Sequence, residues 1–273
     1  MKFLTIHKAL IFFLLVMLAL PITTYPQKKK RNPDDSPHGL RMREAEFYFT
    51  EGEKFFILED YAKALLYYQR SLEINPGNPT VHYKIADVLS RSNKQDDLIK
   101  ASISIDNALR LEKGNKYFYV LAANIYNSLA KFEKAAQVYE TMISEVKGTE
   151  AYLYELAAIY QYANKPEEAI KIYQRAESIF GVNEISSVQK VRLYLEAGKM
   201  KEALAEGEKL LNAAPDEPRY IMAFTELLSQ KGLRDQAIQY LEKFVASNPD
   251  EGNAKMLLAG FYRDTRQEEK ARP

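Results

Sequence analysis

The chain has 273 residues, 47% hydrophobic and 27% charged, so it carries enough apolar side chain to bury a core and lacks the composition of a disordered polymer. Its 38 basic residues face 37 acidic ones, a net charge of +1, and no overall field draws it to nucleic acid or another polyanion. The absence of cysteine excludes disulfides, zinc–thiolate sites, a thiol nucleophile and a lipidated cysteine.

Lys2, His7 and Lys8 precede an apolar run from Ala9 to Leu20, which Pro21 ends. Twelve apolar residues are short for a membrane span, which needs about 20, and fit a secretory signal over residues 1–26. Two features favour the alternative of an uncleaved N-terminal anchor. Pro21 to Gln27 holds no small-residue cleavage site, and the cluster Lys28-Lys29-Lys30-Arg31 follows the apolar run. Residues 27–44 read as a flexible spacer, because their first part is Pro-rich, charged and without period.

From residue 45 onward the pattern repeats. Alanines that open an amphipathic run stand at Ala64, Ala101, Ala135, Ala169, Ala203, Ala237 and Ala271, separated by 37 and then five times by 34 residues. A fixed period of this size marks a solenoid of stacked units. Twelve residues before the marker comes a small side chain in most units: Gly52, Ala123, Ala157, Thr225 and Ala259, with Ala86 after allowance for three extra residues in the second unit, and Val191 as the exception. Nine before it comes Phe55, Tyr126, Tyr160, Tyr194, Leu228 or Tyr262; four after it comes Tyr68, Ile105, Tyr139, Tyr173 or Leu241, with Gly207 departing. Twelve after it comes proline at Pro76, Pro215 and Pro249.

These residues resemble the tetratricopeptide repeat family of exported bacterial type, whose unit is a 34-residue helix-turn-helix with small residues at helix crossings and a terminal proline. The resemblance covers Ala45 to Pro273, with tyrosine in the place of the missing tryptophan, as at Tyr48 and Tyr119. It implies an all-α fold, a right-handed α-solenoid of stacked helix-turn-helix units at about 45–78, 79–115, 116–149, 150–183, 184–217, 218–251 and an incomplete 252–273. The second unit's surplus falls within Arg91 to Asp97 and is expected around its turn as a neutral length change.

Local chemistry points the same way. In Asn164-Lys165-Pro166-Glu167-Glu168-Ala169, proline takes a first helical position and the acids sit in the first turn, where free N–H groups and the dipole favour them. Asn75-Pro76-Gly77-Asn78-Pro79, Ala214-Pro215-Asp216-Glu217-Pro218 and Asn248-Pro249-Asp250 each end one helix and release the next. A single helix pair cannot bury its apolar stripe, so neighbouring pairs must stack.

No catalytic, cofactor or metal site is expected. The histidines are His7, His38 and His82, too scattered for a triad or a ligand set, and His82 reads as a packing residue. The pairs Glu167 with Glu168 and Asp96 with Asp97 read as solvated helix starts rather than acid/base pairs.

Function is expected in the concave groove that the first helix of each unit lines. The candidate partner-binding residues are Tyr83, Asp87, Tyr117, Asn124, Asn127, Tyr154, Gln161 and Arg192. Tyrosine offers large contact area at low entropy cost, and amides can bond a peptide main chain. The carboxylate clamp of chaperone-binding family members is not expected, since Phe49, Glu53, Tyr83 and Asp87 occupy its places.

The marker Ala271 opens a second helix that Pro273 leaves unfinished, so the chain reads as the front of a longer protein. The expectation is a non-enzymatic scaffold, exported to a periplasm or its membrane face, that binds a protein or peptide within an envelope complex. Nucleic acid is not an expected partner, and a membrane only through residues 9–20. The alternatives are a substrate-positioning arm of a longer envelope enzyme, and an adaptor tethered by Ala9 to Leu20. Oligomeric state is open.

Overall fold

The computed structural model describes residues 36–92 and 94–265. The chain divides into two compact units, 1–44 and 45–273, and residues 36–44 are the described part of the first; they are helical from Pro37, where the sequence reading placed the end of a flexible spacer. The apolar run Ala9 to Leu20, the basic cluster Lys28 to Arg31 and the last marker Ala271 lie outside the described residues.

Thirteen α-helices and no strand occur among the described residues. They are α1 Pro37–Ile57, α2 Tyr61–Ile74, α3 Pro79–Ser90, α4 Gln95–Leu111, α5 Lys116–Ser128, α6 Phe132–Glu145, α7 Leu153–Tyr162, α8 Pro166–Phe180, α9 Glu184–Glu196, α10 Met200–Ala213, α11 Pro218–Gln230, α12 Arg234–Ser247 and α13 Gly252–Asp264, with a 3₁₀ turn Glu150–Tyr152 before α7. None is long and apolar enough to cross a membrane. The result is an all-α repeat solenoid.

The junctions follow from the residues at them. Asn75 ends α2, and the Asn78 side chain accepts from the N–H groups of Thr80 and Val81, with Pro79 at the first helical position. Asn115 and Asn183 cap α5 and α9 in the same way, and Glu217 caps α11 before Pro218. His82 is buried with Nε2 3.0 Å from the Pro76 carbonyl, so it fastens the start of α3 to the junction, consistent with a packing role. Within pairs the turn is made by a left-handed residue five before the marker: Glu59, Ala130, Asn164, Gly198 or Gly232.

Packing uses the repeated small residues. The six described markers, Ala64, Ala101, Ala135, Ala169, Ala203 and Ala237, are all 0% exposed. Ala86, Ala123, Ala157 and Thr225, on the facing first helices, are equally inaccessible. Short side chains at both places let two helix backbones approach closely, and large rings then fill the layers beside them. Each second helix from α2 to α12 touches the first helix of the next unit, and the backbones of α3 and α5, α9 and α11, and α11 and α13 also meet. No two successive second helices approach so closely. The first helices therefore form the inner layer.

The second unit departs from expectation in one respect. Its second helix, α4, begins six residues before Ala101, where the others begin three before their markers. The surplus is mainly an extra helical turn, Gln95 to Asp97, rather than a longer loop. Asp96 and Asp97 in that first turn stabilise it against the free N–H groups and the dipole.

Candidate groove site

The inner face changes character along the solenoid. In the first two units its polar groups are taken up by the chain itself. Lys84 Nζ donates to Glu53 Oε2 at 2.9 Å, the Tyr68 hydroxyl also donates to Glu53, and Arg91 Nε donates to Asp87 Oδ1 at 3.1 Å. The Lys84 ammonium and the Arg91 guanidinium lie over the Phe56 ring, 5.0 and 4.8 Å from its centre. Tyr83 stacks on Phe118 of the next unit, with ring centres 5.1 Å apart. Of the sequence candidates, Tyr83 and Asp87 are thus engaged within the solenoid.

The third unit is more open. Tyr117 is 61% exposed, Asn124 is exposed, and Asn127 is half-buried with an Oδ1 that has no hydrogen-bond partner.

Across the fourth to sixth units the face opens into a cavity of ≈ 530 Å³. Ala151 of the 3₁₀ turn, Tyr154 of α7, Ile185 of α9 and Arg219 of α11 line it, joined by Phe180 from the end of α8 and Asn183 from the following junction. Asn183 builds this site: its Oδ1 accepts from Ser186 N at 3.1 Å to start α9, while its Nδ2 donates to the Tyr154 hydroxyl at 3.2 Å. Tyr154 then stacks on Phe180, ring centres 6.0 Å apart. Ile185 and Phe180 remain exposed, so the wall is apolar with polar atoms at its edges.

A smaller depression of ≈ 310 Å³ lies at the other ends of the first helices, between Gln161, Asn164, Leu193 and Glu196. Gln161 Nε2 donates to the Tyr173 hydroxyl at 2.8 Å. Burial pushes that hydroxyl up from its ordinary pKa, and the Gln161 bond and the Arg192 charge pull it back only in part. Arg192 is exposed. The eight candidates therefore fall into separate patches, and only Tyr154 belongs to the larger cavity.

Phe180 and Asn183 escaped the sequence reading because it took groove positions from first helices only, and Glu184 and Tyr220 line the cavity beside the positions it chose. Phe180 ends a second helix and Asn183 lies between units, and their signal was the N-cap asparagine itself. No group of acidic and histidine side chains fit to hold a metal occurs among the described residues.

Models of the tetratricopeptide repeat match residues 45–78 and 152–178. Among solved structures, a tetratricopeptide repeat protein from Parabacteroides merdae is similar over 84% of this chain and 90% of its own, with a TM-score of 0.52 and 18% identity. The MamA protein is similar over 64% of this chain and 94% of its own, also with a TM-score of 0.52 and 18% identity. At such identity the likeness is one of fold. No curated protein sequence matches the chain.

Proposed function

From the premise that this chain is a tetratricopeptide-repeat protein, we propose that it is a non-enzymatic scaffold whose inner face holds an extended segment of a partner protein. The observation that carries the reading is the cavity across α7, α9 and α11. Its rings are fixed in place by Asn183 and still reach solvent, which favours capture of apolar side chains in one register. Tyr117, exposed, holds in the third unit the repeat position that Ala151, Ile185 and Arg219 hold in the next three. The segment from Lys2 to Leu20 supports a setting in the periplasm or on the periplasmic face of a membrane, within an envelope complex.

Photocrosslinking in cells tests the groove. A photoreactive side chain at Tyr117 and at Tyr154 should capture the same protein, and one at Lys171, exposed on α8, should not. Capture from Lys171 alone overturns the reading. For the setting, protease added to spheroplasts should digest the repeats while the inner membrane is intact; protection until lysis overturns it.

A further inference from the structure

The repeat supplies its own control for a group of charges in the core. Eight residues after the marker stand Leu72, Leu109, Ile143, Leu211 and Val245, but Glu177 in the fourth unit. Thirteen before it stand Ile85, Ala122, Leu156, Phe224 and Leu258, with Glu51 in the first unit, but Lys190 in the fifth. Three after it stand Tyr67, Ser104, Val138, Ile172 and Tyr240, but Glu206 in the fifth. Sixteen before it stand Tyr48, His82, Tyr119, Leu153 and Ile221, with the exposed Lys255 in the seventh unit, but Ser187 in the fifth. Four core positions turn polar together at one junction.

The structure brings these four into one cluster. Lys190 of α9 is 0% exposed, and its Nζ lies 2.7 Å from Glu177 Oε2 of α8 and 2.8 Å from Glu206 Oε1 of α10. Those contacts are off hydrogen-bonding alignment. Ser187 Oγ donates to Glu177 Oε1 and Glu206 Oε1 at 3.2 and 3.0 Å, and Lys209 Nζ reaches Glu177 Oε2 at 2.6 Å from the surface. Two carboxylates meet two ammonium groups, so the charge is balanced, and the neighbouring Ser186 Oγ is buried without a partner.

The apolar core is interrupted at this place. One cluster of buried residues runs from Ala64 through Ala176 to Leu193; a second runs from Val191 to Tyr262. Val191 and Leu193, on opposite sides of one turn of α9, thus belong to different cores, and Tyr194, half-buried, packs against both. A buried ion pair repays little more than its own desolvation, while the apolar residues it replaces would have added directly to the interface. In a solenoid, stability is a sum of unit and neighbour terms, and one weak neighbour term divides the chain into blocks.

We infer that the Glu177–Lys190–Glu206 cluster is a built-in hinge, at which the units up to α8 and the units from α10 onward open as separate cooperative blocks. The cavity between Tyr154, Ile185 and Arg219 spans that hinge, so its width follows the motion. The inference stands on the core and not on the proposed partner.

Native-state hydrogen exchange of the full chain in rising urea, read by peptide mass, tests it. Amides of α3 to α8 should share one opening constant and those of α10 to α12 another, at least tenfold apart. Replacing the cluster by apolar groups, Lys190→Met with Glu177→Leu and Glu206→Leu, should merge the two into one. If that variant does not fold, Lys190→Met with Glu177→Gln and Glu206→Gln, which keeps the side-chain shapes, should narrow the gap. A single opening in the unaltered chain overturns the hinge. Two openings that persist unchanged in a folded variant overturn its assignment to this cluster.

Discussion

A Cβ added to Gly207 of α10 would collide with the ring of Phe224 of α11. The other described second helices carry a large side chain at this position, from Tyr68 to Leu241, and here the ring of the following unit takes that space instead. Phe224 in turn meets the edge of Tyr240 at 5.0 Å. The departure noted in the sequence is therefore one half of an exchange of volume between two helices. Gly207→Ala should lower stability by about 1–3 kcal/mol through overpacking, even though alanine gains about 1 kcal/mol in helix propensity. Urea denaturation reads the change, and adding Phe224→Leu should recover part of it. A stabilised Gly207→Ala would contradict the packing described.

The turns within pairs offer a second comparison. Ala130 has φ 54° at the place where other units have Gly198 at 70° and Gly232 at 80°. A left-handed conformation costs a residue with a Cβ about 1–2 kcal/mol. Ala130→Gly should then stabilise by about 1 kcal/mol after the entropic cost of glycine, and Gly198→Ala should destabilise by a similar amount. Melting temperatures should move by about 2–4 °C in opposite directions.

Asn183 holds two roles that substitution can separate. Asn183→Ala removes the cap of α9 and should cost about 1 kcal/mol. Asn183→Asp retains the Oδ1 acceptor for Ser186 N and should stay within about 0.5 kcal/mol of the parent by the same measure, while losing the Nδ2 donor to Tyr154. The crosslinking yield from Phe180, which stacks on Tyr154, should fall in both variants, and in the aspartate variant without loss of stability.

The Glu177 carboxyl responds to acid. Burial alone would push its pKa up, but the ammonium groups of Lys190 and Lys209 beside it outweigh burial and hold it below the ordinary 4.5. The folded chain therefore binds its proton less readily than the unfolded one. The stability this group contributes is present above about pH 4.5 and is lost as pH falls through the lower, folded value. Denaturation of the parent and of Glu177→Gln should differ at pH 7 and converge once the pH has fallen through the lowered, folded value. A difference that persists into acid would show that the amide itself, not the charge, is at fault.

Much of the inner architecture was legible because repetition turns a sequence into its own alignment. Ala101 to Ala237 at a fixed spacing of 34, with Ala64 three residues out of step, predict helix crossings, and each of those alanines is inaccessible. The groove was less legible. Asn127 and Tyr117 stand on the helices where spacing puts them, yet spacing does not tell that Tyr83 turns onto Phe118 while Tyr117 faces solvent. Those outcomes depend on which neighbour in the next unit offers a ring or a charge.

The amino-acid order by itself determined the helices, their proline and asparagine junctions and the stacking, since each rests on chemistry that every unit repeats. Only the tertiary structure decided which side chains meet across helices: Asn183 reaching back to Tyr154, Phe180 closing a wall begun by a first helix, and Lys190 placed between two glutamates from different helices. The reason is physical. Period specifies where a side chain stands on its own helix, whereas its partner is set by the distance and direction at which the next helix packs.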